Sequence, residues 1–132
     1  MKIIDCGGMG ECLFSSIGYH LKKSGSEVRK EIVNKIRRDC SKIIMAKEKL
    51  CCLIRISEQV SIASYCQKMS LSTSSGGEIE LFTASILYNK IIEVYQKRGD
   101  DFVLNYAYNG NETSKERLRL YYSSGHYQAI ID

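Results

Sequence analysis

The sequence predicts an α+β domain in which helices pack on a small, mostly antiparallel sheet, and three observations carry that expectation. Apolar residues recur at helical spacing from Leu13 to about Leu87. From Lys90 onward the period shortens to alternation, in segments divided by Gly- and Asn-containing turns. Helices first and strands last is the order of a segregated α+β fold rather than of alternating βα units. The 132 residues suffice for one domain with its own core, so a single domain spanning 1–132 is expected.

Gly7, Gly8 and Gly10 come first and free the backbone to wrap a tight loop of bare N–H groups. Leu13, Ile17 and Leu21 then fall at i, i+4 and i+8, which predicts an amphipathic helix of about three turns with Cys12 in its first turn. Ser24 and Glu27 have capping-box spacing, and Val28, Ile32, Ile36, Cys40 and Ile43 continue an apolar stripe, so a helix is expected from about Glu27 to Lys42. Helical stretches follow through Met45 to Leu53 and from Ser57 to Met69, with Ile56, Val60, Ala63 and Met69 inward. Leu71 to Gly77 reads as a polar loop, and Ser75 with Glu78 has capping-box spacing ahead of a helix whose apolar face is Ile79, Phe82, Ile86 and Leu87.

The strands follow. Ile92 and Val94 belong to one, Phe102 to Tyr108 to the next, Leu118 to Tyr122 to a third, and Tyr127 to Ile131 closes the set. Arg98-Gly99-Asp100 and Asn109-Gly110-Asn111 are the turn signals between consecutive strands. Tyr106, Tyr108, Tyr121, Tyr122 and Tyr127 suit a half-buried pleated surface.

Composition excludes several classes. Hydrophobic content of 44% and charge of 26% are those of an ordinary globular protein. No apolar run reaches the length of a membrane span, and the N-terminus lacks the pattern of a secretory signal, so no membrane contact and a cytoplasmic location are expected. The net charge of +4 comes largely from Lys22 to Lys49, where Arg29, Lys30, Lys35, Arg37 and Arg38 are interrupted by acids and read as a solvated helix face. Nucleic acid is not an indicated partner. Cys40, Cys52 and Cys66 sit in apolar helical patterns as small hydrophobes, which favours reduced thiols. No C-x-x-C pair is present and only two histidines are available, so neither a metal nor another cofactor is expected.

The chemistry centres on Cys12. A thiol in the first turn of a helix sits at the positive end of the helix dipole, where thiolate is favoured and free N–H groups point outward. Its base is one of two histidines. His20 lies two turns along the same helix, roughly 12 Å away on the axis, and is poorly placed. His126 follows Ser123-Ser124-Gly125 and opens an apolar strand, a loop-strand junction suited to a base brought to the thiol by the fold.

Gly10-Glu11-Cys12-Leu13-Phe14-Ser15-Ser16-Ile17, paired with Gly125-His126-Tyr127-Gln128, resembles the ovarian-tumour (OTU) cysteine proteases, and Gly76-Gly77-Glu78-Ile79-Glu80-Leu81 is similar to a third stretch of that family. The three motifs stand in the family's order between Asp5 and Ile131. The chain departs from the pattern at Met9, where the family usually has aspartate, at Ser75, where tryptophan is common, and at Gln128, where aspartate or asparagine is usual.

The resemblance implies a papain-like OTU domain and a deubiquitinase, compact as viral members are, with a role in blunting host immune signalling from the host cytoplasm. It implies Cys12 as nucleophile and His126 as general base, with an oxyanion hole from the backbone of Met9, Gly10, Glu11 and Cys12. Gln128 and Asp5 are the alternatives for the residue that orients His126. Gly7, Gly8, Ser75, Gly76, Gly77, Gly125 and Tyr127 border the expected channel for the Gly-Gly tail of ubiquitin. Ubiquitin and polyubiquitin are the implied partners, with ubiquitin-like modifiers as a further class, acting on a monomeric protein. The rival readings are an inactive ubiquitin-binding module and a basic RNA-binding domain.

Overall fold

The computed structural model describes residues 1–8 and 10–132. Its sheet has five strands in the order β1-β7-β6-β4-β5, formed by β1 (Lys2–Ile4), β4 (Ile91–Arg98), β5 (Asp101–Tyr108), β6 (Arg117–Ser123) and β7 (His126–Ile131). Four of these are the expected C-terminal strands, and β1 is an addition from the extreme N-terminus. The β4–β6 pair is parallel and the other pairs are antiparallel, so the sheet is mostly antiparallel.

Two turn expectations divide. Arg98 pairs with Asp101 across Gly99, whose φ of 61° takes the left-handed conformation of a tight hairpin. Asn109-Gly110-Asn111 instead opens a longer connection, because β6 lies parallel to β4 rather than beside β5. Gly110 packs under Ile86 there, and its N–H donates to Ser85 Oγ at 2.9 Å.

The first helix, α1 (Cys12–Leu21), and the second, α2 (Gly25–Asp39), fall where the apolar stripes put them. Ser24 caps α2 by accepting from the Glu27 N–H at 3.1 Å. The next two helices are corrections. Ile44–Met45 (β2) and Glu48–Lys49 (β3) form a small hairpin through Ala46 and Lys47, both at positive φ, so α3 covers Leu50–Glu58 rather than starting at Met45. Gln59, at φ 56°, ends α3, and Ser61 accepts from the Ser64 N–H to start α4 (Ile62–Met69). The break turns Ile56, Val60 and Ala63 to solvent, against expectation, while Met69 is buried as expected. The last helix, α5, spans Glu78–Leu87.

One apolar cluster joins these layers. Leu13, Phe14 and Ile17 of α1, Val28, Ile32 and Ile36 of α2, Leu81 and Ala84 of α5, and Ile92, Val94, Leu118 and Leu120 of the sheet are its centre. α1 lies against β7 and β6, α5 against β4 and β5, and α2 packs across α1, α4 and α5. Burying a side chain of this size stabilises by roughly 1.5–3 kcal/mol, so the cluster holds the start of α1 against the start of β7 firmly. Among the described residues no helix is long and apolar enough to cross a membrane.

Candidate active site

Cys12 is the first residue of α1, and its side chain is almost wholly buried. β1 pairs with β7 only as far as Ile4 opposite Ala129. Beyond that point the edge of β7 is open, and the Tyr127 N–H turns to the thiol, donating to Cys12 Sγ at 3.4 Å. Ser16, one turn along α1, donates to the Tyr127 carbonyl at 3.2 Å and fixes the same strand residue through its other backbone group.

His126 reaches this place through the β6–β7 turn. Ser123 pairs with His126, and the two residues between them, Ser124 and Gly125, have φ of 51° and 78°. Two consecutive positive φ values match the twist of a tight two-residue hairpin, which explains the glycine at position 125. The turn makes His126 the first residue of β7, immediately before Tyr127, whose N–H meets the thiol. Its Nε2 lies 3.1 Å from Asp5 Oδ1. The imidazole is about one-third exposed and the carboxylate two-thirds exposed, so the pair is open to solvent at the end of the sheet.

Of the two alternatives for orienting His126, the geometry favours Asp5. Gln128 is half-buried opposite Tyr121, and among the described residues no hydrogen bond joins its side chain to the imidazole. His20 faces elsewhere, with Nε2 2.8 Å from the Arg119 carbonyl oxygen, and burial holds its imidazole below the usual range.

Around the thiol, Gly10 is buried at φ 86°, and a Cβ there would lie 2.7 Å from the Ser72 carbonyl oxygen. Only glycine fits so close an approach in that conformation. Of the expected oxyanion donors, Met9 lies outside the described residues. The Glu11 N–H donates to the Gly8 carbonyl at 3.2 Å and is engaged in this structure. The Cys12 N–H stands in the first turn of α1, among the groups that lack an intrahelical acceptor.

The residues expected to line a channel fall into two sets. A Cβ on Gly8 or Gly77 would meet nothing within 4 Å, and the same holds for Gly125, so these three face open space. Ser75 is exposed beside them in the loop before α5. Gly7 is packed on Ser15, and Gly76 on Phe14 and Leu13, where a Cβ would come within 2.9 Å of the ring. Those two serve the packing of α1. Tyr127 stacks on Tyr122 at 4.6 Å between ring centres, and burial pushes its phenol up to about 12, so it stays neutral.

The Gly76–Leu81 stretch contributes through Glu80. Its Oε1 accepts from the Gly77 N–H at 2.7 Å, so α5 is capped by Gly77 and Glu80 rather than by Ser75 and Glu78. Oε2 accepts from the Tyr65 hydroxyl at 2.5 Å, tying α5 to α4, and burial pushes both groups up.

Sequence reasoning missed Arg29. It stands in a basic run yet is 4% exposed, with its guanidinium 4.2 Å over the Phe14 ring. Its place in the otherwise apolar stripe next to Val28 was the signal available. Among the described residues no group of three or more His, Cys, Asp or Glu side chains is placed to hold a metal ion.

Comparison with known proteins places this geometry. A family model described as OTU-like cysteine protease matches residues 7–129. Among solved structures, the Hazara virus OTU bound to ubiquitin superposes with a TM-score of 0.75 at 16% identity, covering 98% of this chain and 80% of that one. An OTU deubiquitinase from Wolbachia pipientis wMel bound to ubiquitin gives 0.70 at 11% identity, covering 99% and 95%. An ovarian-tumour domain in complex with ubiquitin gives 0.72 at 15%, covering 97% and 67%. Identities this low establish a shared α+β fold. No curated protein matches the chain by sequence.

Proposed function

The chain belongs to the family of OTU-like cysteine proteases, and from that premise we propose that it is a deubiquitinase, hydrolysing the amide or isopeptide bond at the C-terminal glycine of ubiquitin. One observation carries the reading: the thiol of Cys12 lies under the Tyr127 N–H at 3.4 Å while His126, the preceding residue, is held by Asp5 at 3.1 Å. The structures similar in fold that were solved with ubiquitin support ubiquitin as the substrate.

In this mechanism His126 takes the Cys12 proton and the thiolate attacks the carbonyl carbon of the terminal glycine. The C–S bond forms, and the carbonyl oxygen becomes an oxyanion that accepts from the Cys12 N–H at the helix start. Collapse expels the lysine amine, which takes the proton from His126. A water, deprotonated by His126, then cleaves the thioester, releasing the ubiquitin carboxylate and restoring the thiol. Asp5 holds the imidazole in orientation and offsets its charge while it is protonated.

Gly8, Gly77 and Gly125 have open space where side chains would stand, which suits passage of a Gly-Gly tail. In this reading the protein acts as a monomer in the cytoplasm, as a compact viral or otherwise minimal member of the family that removes ubiquitin from conjugates of immune signalling.

The test is incubation with a panel of lysine-linked diubiquitins beside Cys12→Ser. Release of monoubiquitin by the wild type and none by the variant supports the proposal. Binding without release by the wild type favours the inactive ubiquitin-binding module, and neither binding nor release removes ubiquitin as the substrate.

A further inference from the structure

Arg29 sits in the first part of α2, and its guanidinium gathers three backbone oxygens from two separate segments, the Gly10 loop and the end of α4 with the loop after it. Nη2 donates to the Gly10 carbonyl at 2.5 Å and to the Ser72 carbonyl at 3.3 Å, and Nη1 donates to the Met69 carbonyl at 2.8 Å. Glu11 Oε2 lies 3.6 Å away. Resting on the thiol-hydrolase reading above, we propose that Arg29 is a positioning residue for the reaction, setting the backbone that aims the Cys12 N–H at the oxyanion.

One peptide plane links Arg29 to the helix start. A peptide unit is rigid, so fixing the direction of the Gly10 carbonyl fixes the Glu11 N–H on the opposite side. Both ends of that unit are clamped, the carbonyl by Arg29 and the N–H by the Gly8 carbonyl at 3.2 Å. The next N–H along the chain is that of Cys12, and with Glu11 in the helical region at φ −98° and ψ −15° its direction is set relative to the clamped plane. The Gly10 loop also lies directly on Ser72, and the carbonyls of Gly10 and Ser72 point to the same cation. Without it, the buried Gly10 oxygen would lose its charged donor beside the Ser72 oxygen of like partial charge, and the loops would part.

Two further features assign Arg29 to the carbonyls rather than to Glu11. Arg29 Nε and Glu11 Oε1 are both buried and lack hydrogen-bond partners among the described residues, so the two side chains are not arranged as a bidentate pair. The Met69 carbonyl closes α4, where a cation opposes the negative end of the helix. The guanidinium reaches these carbonyls from two nitrogens held in one plane, whereas an ammonium concentrates its donors on a single nitrogen.

Arg29→Lys tests this with three readouts: hydrolysis of a fluorogenic C-terminal amide of ubiquitin, hydrolysis of p-nitrophenyl acetate, and alkylation of Cys12 by iodoacetamide. Alkylation needs the thiol but forms no oxyanion. The expected result is a fall in kcat of about tenfold or more on both substrates, with KM for ubiquitin and the alkylation rate held within about twofold. Unchanged kcat in the folded variant, or kcat and alkylation moving together, overturns the proposal. If Arg29→Lys does not fold by circular dichroism, Phe14→Leu carries the test, because it keeps the guanidinium and removes only the ring that holds it 4.2 Å away against the carbonyls. A fall in kcat of about threefold at unchanged KM and alkylation rate is then expected, and no fall overturns the proposal. A wild type that cleaves the ester but not ubiquitin removes the substrate assignment, while the ester readout still decides the role of Arg29.

Discussion

His126 Nε2 and Asp5 Oδ1 stand 3.1 Å apart although 121 positions separate them in the chain. The short strand β1 brings this about. With Ile4 opposite Ala129, the residue after it falls alongside the start of β7, where the imidazole projects. An acid paired with the base through Nε2 fixes the ring and leaves Nδ1 as the nitrogen for proton transfer.

This contact separates the two residues offered for orienting His126. Asp5→Ala should lower kcat for ubiquitin amide hydrolysis by about tenfold or more with little change in KM, as loss of a group that only orients the base does. Gln128→Ala should stay within about twofold, since its side chain makes no bond to the imidazole. Steady-state kinetics of the two variants, with a larger loss in Gln128→Ala, would reverse the assignment.

Gly10→Ala should destabilise the fold by about 1–3 kcal/mol, because the left-handed φ of 86° and an approach of 2.7 Å to the Ser72 carbonyl act together. Urea unfolding followed by circular dichroism checks it. Gly77→Ala adds a methyl group to open space and should leave the urea midpoint near that of the wild type.

Acid sensitivity should report His20. Burial holds its folded value below the 6.5 of the free side chain, so above pH 6.5 the imidazole is neutral in both states and its contribution to stability is intact. As pH falls below 6.5 the unfolded chain takes up the proton first, and stability is lost down through the lowered folded value. His20→Gln should flatten the pH dependence of unfolding free energy in that window. An unchanged slope between pH 7 and pH 5 would show that His20 does not titrate as its surroundings require.

The helix stripes around Leu13, Val28 and Ile79 and the alternation from Ile92 onward were legible because each rests on local spacing. β1 was not, since Lys2-Ile3-Ile4 is too short to show a period and forms only by pairing with β7. The breaks at Ala46-Lys47 and Gln59 were hidden because residues other than glycine take positive φ there, held by the surrounding packing. Arg29 read as solvated because charge in a basic run ordinarily is. What buries it is a set of carbonyls from residues 10, 69 and 72, which no spacing rule assembles.

The most direct test of the central claim is intact-mass measurement after mixing the protein with ubiquitin bearing a C-terminal electrophile, beside Cys12→Ala and His126→Ala. The account predicts one covalent ubiquitin adduct on the wild type, none on Cys12→Ala, and slow formation on His126→Ala. A folded, reduced wild type that forms no adduct, or an adduct that persists in Cys12→Ala, would contradict it.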